Sequence, residues 1–115
     1  MKELFKIDVE LGAGGCPVVI VGAGRMALLA HTALLQEGIA VAAFCDLSGK
    51  NVGLEIMGKP IVCADDVLRM DGAHLVYAGE DLARAERDMA PFAGMPVWVD
   101  RHAYGIVNDC VWSFM

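Results

Sequence analysis

Hydrophobic and polar positions change period along this chain. Residues 17–21 (PVVIV) form a short unbroken apolar run, the pattern of a strand covered on both faces of a parallel sheet. Residues 24–37 change to a helical period, with Ala27, Ala30 and Leu34 on one stripe and Gly38 placed to end the helix. IAVAAFC (39–45) predicts a second strand, a glycine-rich stretch runs from Ser48 to Pro60, and PIVC (60–63) predicts a brief third strand. A short helix is expected in DDVLRM, capped by Asp65 and stopped by Gly72. AHLVYA (73–78) predicts the fourth strand and MPVWV (95–99) the fifth. Between them, residues 80–90 place Leu82, Ala85 and Met89 at helical spacing, with Glu80–Arg84 and Arg84–Asp88 as i,i+4 pairs on the wet side.

Strands alternating with helices at this spacing predict βαβ units, parallel pairing and right-handed crossovers. The expected fold is α/β: a small doubly wound parallel sheet, Rossmann-like, of strand order 3-2-1-4-5, in three layers α/β/α. A length of 115 residues with a 57% hydrophobic fraction supports one core, hence a single domain over 1–115 whose core covers about 17–99. The tail 105–115 (GIVNDCVWSFM) is too apolar to leave in water and is expected to bury as an extra strand or an interface. The alternation Phe5, Ile7, Val9, Leu11 near the N-terminus offers the same. Because a five-stranded unit of this size has a small core, a homodimer, or a partner protein held through the tail, is expected.

Charge narrows the partners. The net charge is −6 and no block of basic residues occurs, which argues against nucleic acid. Arg25, His31, Gln36 and Glu37 interrupt the richest apolar region, so no membrane helix is expected. The N-terminal segment MKELFKIDVELG alternates charged and apolar residues, unlike a signal peptide, and a cytoplasmic protein is expected. Cys16, Cys45, Cys63 and Cys110 are far apart without a C-x-x-C pair; they read as reduced thiols, with no metal site.

The candidate chemistry lies at the first strand-to-helix turn. Gly22-Ala23-Gly24-Arg25-Met26-Ala27 matches G-x-G-x-x-A after a predicted strand and at the start of a predicted helix. In such a turn the first glycine allows the bend, the second lets the backbone approach a pyrophosphate, and the small third residue brings helix and strand together. The helix N-terminus offers unpaired N–H groups to an anion. Asp46 ends the second strand about 20 positions further on, where an acid bonds a ribose hydroxyl and favours NAD over NADP. Arg25 either donates to a phosphate, or is solvated or pairs with an acid, and Gly79 either lines the ligand crevice or caps a helix. Gly22, Ala23, Gly24, Arg25, Met26, Asp46 and Gly79 are therefore the expected binding residues for NAD or another small nucleotide ligand, coenzyme A included. His31 and His74 read as packing residues. Asp100, Arg101, His102 and Tyr104, gathered in VDRHAYG after the last strand, are the only candidate acid–base group outside the motif.

The pattern VVIVGAGRMA…VAAFCD…GKNVGLEIMGKPIV resembles the N-terminal Rossmann-like domain of bacterial sugar acyltransferases and polysaccharide-biosynthesis proteins. Lys50, Gly53, Ile56, Gly58, Pro60 and Ile61 hold its second half, K-x-x-G-x-x-I-x-G-x-P-[IV]. The resemblance spans roughly 17–99 and implies a domain that binds a nucleotide-sugar or dinucleotide through Gly22, Gly24 and Asp46, with catalysis in a further domain. Where such relatives carry a glycine and a histidine soon after the turn, this chain has Arg25, Met26 and Ala27. That departure leaves the dinucleotide-like turn and weakens sugar acyl transfer. Three functions stay open: a stand-alone nucleotide-binding domain, an oxidoreductase or sugar-modifying enzyme using His102 or Tyr104 across a dimer, and a structural domain with a vacant site.

Overall fold

A computed structural model of the chain describes residues 1–4 and 10–105. The chain runs through β1 (Lys2–Glu3), β2 (Val18–Val21), α1 (Arg25–Gln36), β3 (Ala43–Cys45), β4 (Glu55–Ile56) and β5 (Lys59–Val62), then α2 (Ala64–Leu68), β6 (His74–Tyr77), α3 (Ala85–Met89) and β7 (Val97–Val99). A further helical segment, α4, covers 101–105. The fold is α/β: a seven-stranded sheet ordered β1-β7-β6-β2-β3-β5-β4. All of its pairings are parallel except the β4–β5 hairpin.

β2 lies at the centre because its four residues are all β-branched and all at most 2% exposed, so both faces of the strand are covered. Register sorts the side chains. Ile20 stands opposite Phe44 on one side and Val76 on the other, so these three share a face, while Tyr77, one residue on, points to the other. The first face carries α1, whose His31 ring lies 5.5 Å from that of Phe44. The second carries α3, whose Asp88 accepts the Tyr77 hydroxyl at 2.8 Å. Helices therefore cover both faces. A cavity of about 50 Å³ bounded by Met26, Ala30, Val76 and Ala103 puts α4 beside α1 on the first face.

α1 ends as its sequence dictates. Gly38 takes φ 76°, and its N–H and that of Ile39 bond back to the carbonyls of Leu35 and Leu34 at 3.0 and 2.9 Å, a paired C-terminal cap that only a left-handed residue closes. α2 starts one residue ahead of the expected cap: Asp66 accepts from the backbone N–H of Cys63 at 3.3 Å and from its thiol at 3.2 Å, so the reciprocal cap lies on Cys63 rather than Asp65. The expected 39–45 strand pairs only over Ala43–Cys45. The helix expected at 80–90 is broken into a 3₁₀ turn at Leu82–Arg84, α3, and a second 3₁₀ turn at Ala90–Phe92 that holds a proline. Glu80 precedes this helix, and neither expected pair, Glu80–Arg84 or Arg84–Asp88, forms; the ion pairs among the described residues are Arg69–Asp66 and Arg101–Glu3. The tail from 106 onward and the Phe5, Ile7, Val9 alternation lie outside the described residues. Among those described, no helix is long and apolar enough to cross a membrane.

Candidate functional site

The chain runs from β2 outward to β3 and β5, then returns to β6 on the other side of β2. In open α/β sheets ligands lie beyond the strand C-termini at such a switch point. Three loops meet there. The turn Gly22–Gly24 after β2, Asp46–Ser48 after β3 and Ala78–Glu80 after β6 line one cavity of about 240 Å³, with Arg84 and Asp88 from the α3 side. The predicted residues Gly22, Ala23, Gly24, Asp46 and Gly79 all lie on its wall. Arg25 follows the turn as the first residue of α1 and its side chain is exposed; Met26 is turned inward into the core.

Each glycine of the turn has its own cause. Gly22 has φ 141°, and a Cβ there would sit against the Ala78 carbonyl, so β2 and the loop after β6 touch through backbone alone. Its N–H continues the ladder to the Cys45 carbonyl at 2.9 Å. Gly24 has an ordinary φ of −107°, but a Cβ there would meet the Glu80 carboxylate. That carboxylate accepts the Arg25 backbone N–H at 3.0 Å. A helix N-terminus leaves its first N–H groups without partners inside the helix, and here the chain's own Glu80 takes the place at which an anion is expected to bind.

Glu80 is held there by its neighbours. The Tyr104 hydroxyl donates to the Gly79 carbonyl at 2.6 Å. The Tyr77 hydroxyl shares its proton between Asp88 at 2.8 Å and the Asp81 carbonyl at 3.1 Å. The two phenol rings stack with centroids 6.4 Å apart. Burial, with the Asp88 contact added for Tyr77 and the charge of Glu80 for Tyr104, pushes both hydroxyls well above the ordinary phenol range. They stay protonated and act as donors.

Asp46 is occupied differently. It is 8% exposed, and one carboxylate oxygen accepts the Ser48 N–H and hydroxyl at 3.0 and 2.7 Å, the other the Asn51 N–H and side-chain amide at 3.1 Å each. Burial alone raises its pKa, but these four donors outweigh it and hold the carboxyl below the usual range. The acid expected to read a ribose instead organises its own loop, as aspartate does in a turn that bonds backbone two residues on.

The group Asp100, Arg101, His102 and Tyr104 does not converge. Asp100 accepts the Ala103 N–H at 3.1 Å and so caps α4, Arg101 pairs with Glu3, His102 is exposed, and Tyr104 is spent on Gly79. Cys45 is buried, and its burial, with the charges of Cys63, Asp46 and Asp66, pushes its thiol up to about 12, so it offers no thiolate. His74 accepts the Gly12 N–H at 3.0 Å and packs in a tilted contact against Trp98, a packing role. His31 is buried, with both ring nitrogens unpartnered. Among the described residues no cluster of three His, Cys, Asp or Glu is placed to hold a metal.

Glu80 is the residue that sequence reasoning missed. Read as a helix residue pairing with Arg84, it hid a signal in the topology: the loop after β6 faces the loop after β2. Comparison of the chain with family models, curated proteins and solved structures finds no match.

Proposed function

We propose that the chain is a Rossmann-like domain that binds a small nucleotide ligand, NAD or a nucleotide-sugar, in the crevice beyond β2, β3 and β6. The observation that carries the reading is the convergence of Gly22, Gly24, Asp46 and Gly79 on one cavity at the switch point of the sheet. The strand order adds support: with the edge strands β1 and β4 set aside, β5-β3-β2-β6-β7 reads third, second, first, fourth and fifth in chain order, the arrangement 3-2-1-4-5. A ligand in this crevice lays its anionic part at the start of α1 and its sugar toward the Asp46 loop. Asp46 and Asp88 of the crevice are engaged in hydrogen bonds within the chain, and the reading is of binding without catalysis.

A second reading, a structural domain with a vacant site, is favoured by the four internal hydrogen bonds of Asp46. The cavity, about 240 Å³, is also smaller than the roughly 300–1,000 Å³ of typical ligand pockets. Amide chemical shifts under titration with NAD, NADP, UDP-glucose and coenzyme A separate the two. Nucleotide binding moves the amides of Gly22 to Met26 and of Ser48, with saturation by one ligand at micromolar to low millimolar concentration. If all four ligands leave those amides in place, the vacant-site reading stands.

A further inference from the structure

The segment Gly79–Asp81 is fixed at three points. The Tyr104 hydroxyl holds the Gly79 carbonyl, the Tyr77 hydroxyl reaches the Asp81 carbonyl, and Glu80 between them projects onto the Arg25 N–H. A Cβ on Gly79 would run into the Tyr77 hydroxyl, so the segment passes directly over that ring. Glu80 itself is exposed and its only described hydrogen bond is the one to Arg25. The contact is therefore specific in place but weak in energy, since exposed charge at a helix start is screened by water. A weakly held internal anion at the point where a ligand's anion belongs is a competitor, not a ligand-binding group.

We propose that Gly79–Asp81 is an autoinhibitory strap, in which Glu80 closes the start of α1 and a pyrophosphate-bearing ligand must displace it. The inference rests on the nucleotide reading above and adds its regulation. Negative charge excludes negative charge: Glu80 and a phosphate cannot share the Arg25 N–H, so the ligand's arrival swings the carboxylate into water. The latch couples this movement to α4. Tyr104 belongs to α4, which follows β7, and its bond to Gly79 is shorter than the Glu80 contact it supports. Release of the strap loosens Tyr104 and, through it, α4, so the occupied and empty forms differ at α4 as well as at the crevice.

The test compares wild type, Glu80→Ala, Glu80→Gln and Tyr104→Phe by amide shifts, titrating inorganic pyrophosphate and, in parallel, NAD. Glu80 is exposed, so its variants keep the fold; Glu80→Gln keeps its shape and removes only the charge. Pyrophosphate should bind both Glu80 variants about three- to tenfold more tightly than wild type, moving the Arg25 and Met26 amides. Tyr104→Phe should fall between, and ligand addition to wild type should also move the amides of 101–104. Equal or weaker pyrophosphate binding in the Glu80 variants, or no binding in any protein, overturns the strap. If NAD binds wild type and Glu80→Ala equally, the nucleotide reading stands and the strap falls. If NAD binds neither while pyrophosphate gains in Glu80→Ala, the strap stands and the nucleotide reading falls.

Discussion

The crevice has a rigid half and a soft half, and each holds one glycine and one acid. On the rigid side, Gly22 faces the Ala78 backbone carbonyl and Asp46 is gripped by four donors. On the soft side, Gly24 faces the end of a flexible side chain, and Glu80 is in water and makes one bond. The same two residue types thus do different work within one crevice. The rigid pair builds the crevice; the soft pair is the part of it that can yield. This difference is the reason a motif made of glycines and an acid does not by itself distinguish a binding site from a fold device.

The rigid half predicts the largest effects. Gly22→Ala combines a left-handed φ with a Cβ driven against a carbonyl that cannot rotate away, and should cost about 3 kcal/mol or more. Urea unfolding reads this as a fall in midpoint at an unchanged slope. A cost below about 1 kcal/mol would mean that the β2 turn and the loop after β6 separate easily, and the crevice has no rigid side.

Asp46→Ala comes next, at about 1–2 kcal/mol, because it removes the buried carboxylate that holds the exposed Ser48–Asn51 loop through four hydrogen bonds. Its pH dependence has a fixed sign. The folded carboxyl lies below its ordinary value, so the stabilisation is complete above the unfolded value of about 3.9 and is lost as pH falls through the folded value. The stability gap between wild type and Asp46→Ala should stay constant from about pH 8 to pH 5 and narrow below about pH 4. A gap that grows on acidification contradicts the hydrogen-bonded loop.

Tyr104→Phe removes one donor from the strap and leaves the Gly79 carbonyl without its partner, for an expected cost of about 1 kcal/mol. The ring still fills its place beside Tyr77, so the loss reports the latch and not the packing. A neutral Tyr104→Phe would mean that α4 and the strap are independent.

What was legible in the sequence follows the same division. β2, α1, β3 and β6 were visible because their signals are local: a run of β-branched residues, a 3.6-residue stripe, a glycine at a helix end. The β4–β5 hairpin was not. Its two-residue turn is Met57-Gly58, with φ of 50° and 79°, and a methionine in a left-handed position carries none of the Asn-Gly signal that marks such turns. The loop role of Asp46 was partly readable, since Ser48 and Asn51 follow at distances that suit a side-chain turn, but the spacing from the glycine turn suggested a ribose instead. Glu80 was hidden for a physical reason: its partner is 55 residues away, and only the order of strands in the sheet brings the two loops together. The group after β7 misled in the opposite way: once 101–105 turns helical, Asp100, Arg101 and Tyr104 go to three different partners and His102 is exposed.

The smallest effect sharpens the comparison most. Gly24 has an extended backbone that alanine adopts freely, so Gly24→Ala should cost only about 0.5–1 kcal/mol, part of it the few tenths lost at a helix start and the rest the displacement of Glu80. Glu80→Ala alone should cost less than about 0.5 kcal/mol, since an exposed single contact is worth little. The two are coupled: with Glu80 already removed, nothing resists the new Cβ, and Gly24→Ala should cost only a few tenths. A double-mutant cycle by urea unfolding measures that coupling directly. Additive costs would mean that Gly24 is required by backbone conformation rather than by the strap; Gly24 would then belong with Gly22 on the rigid side, and the crevice would have no yielding half.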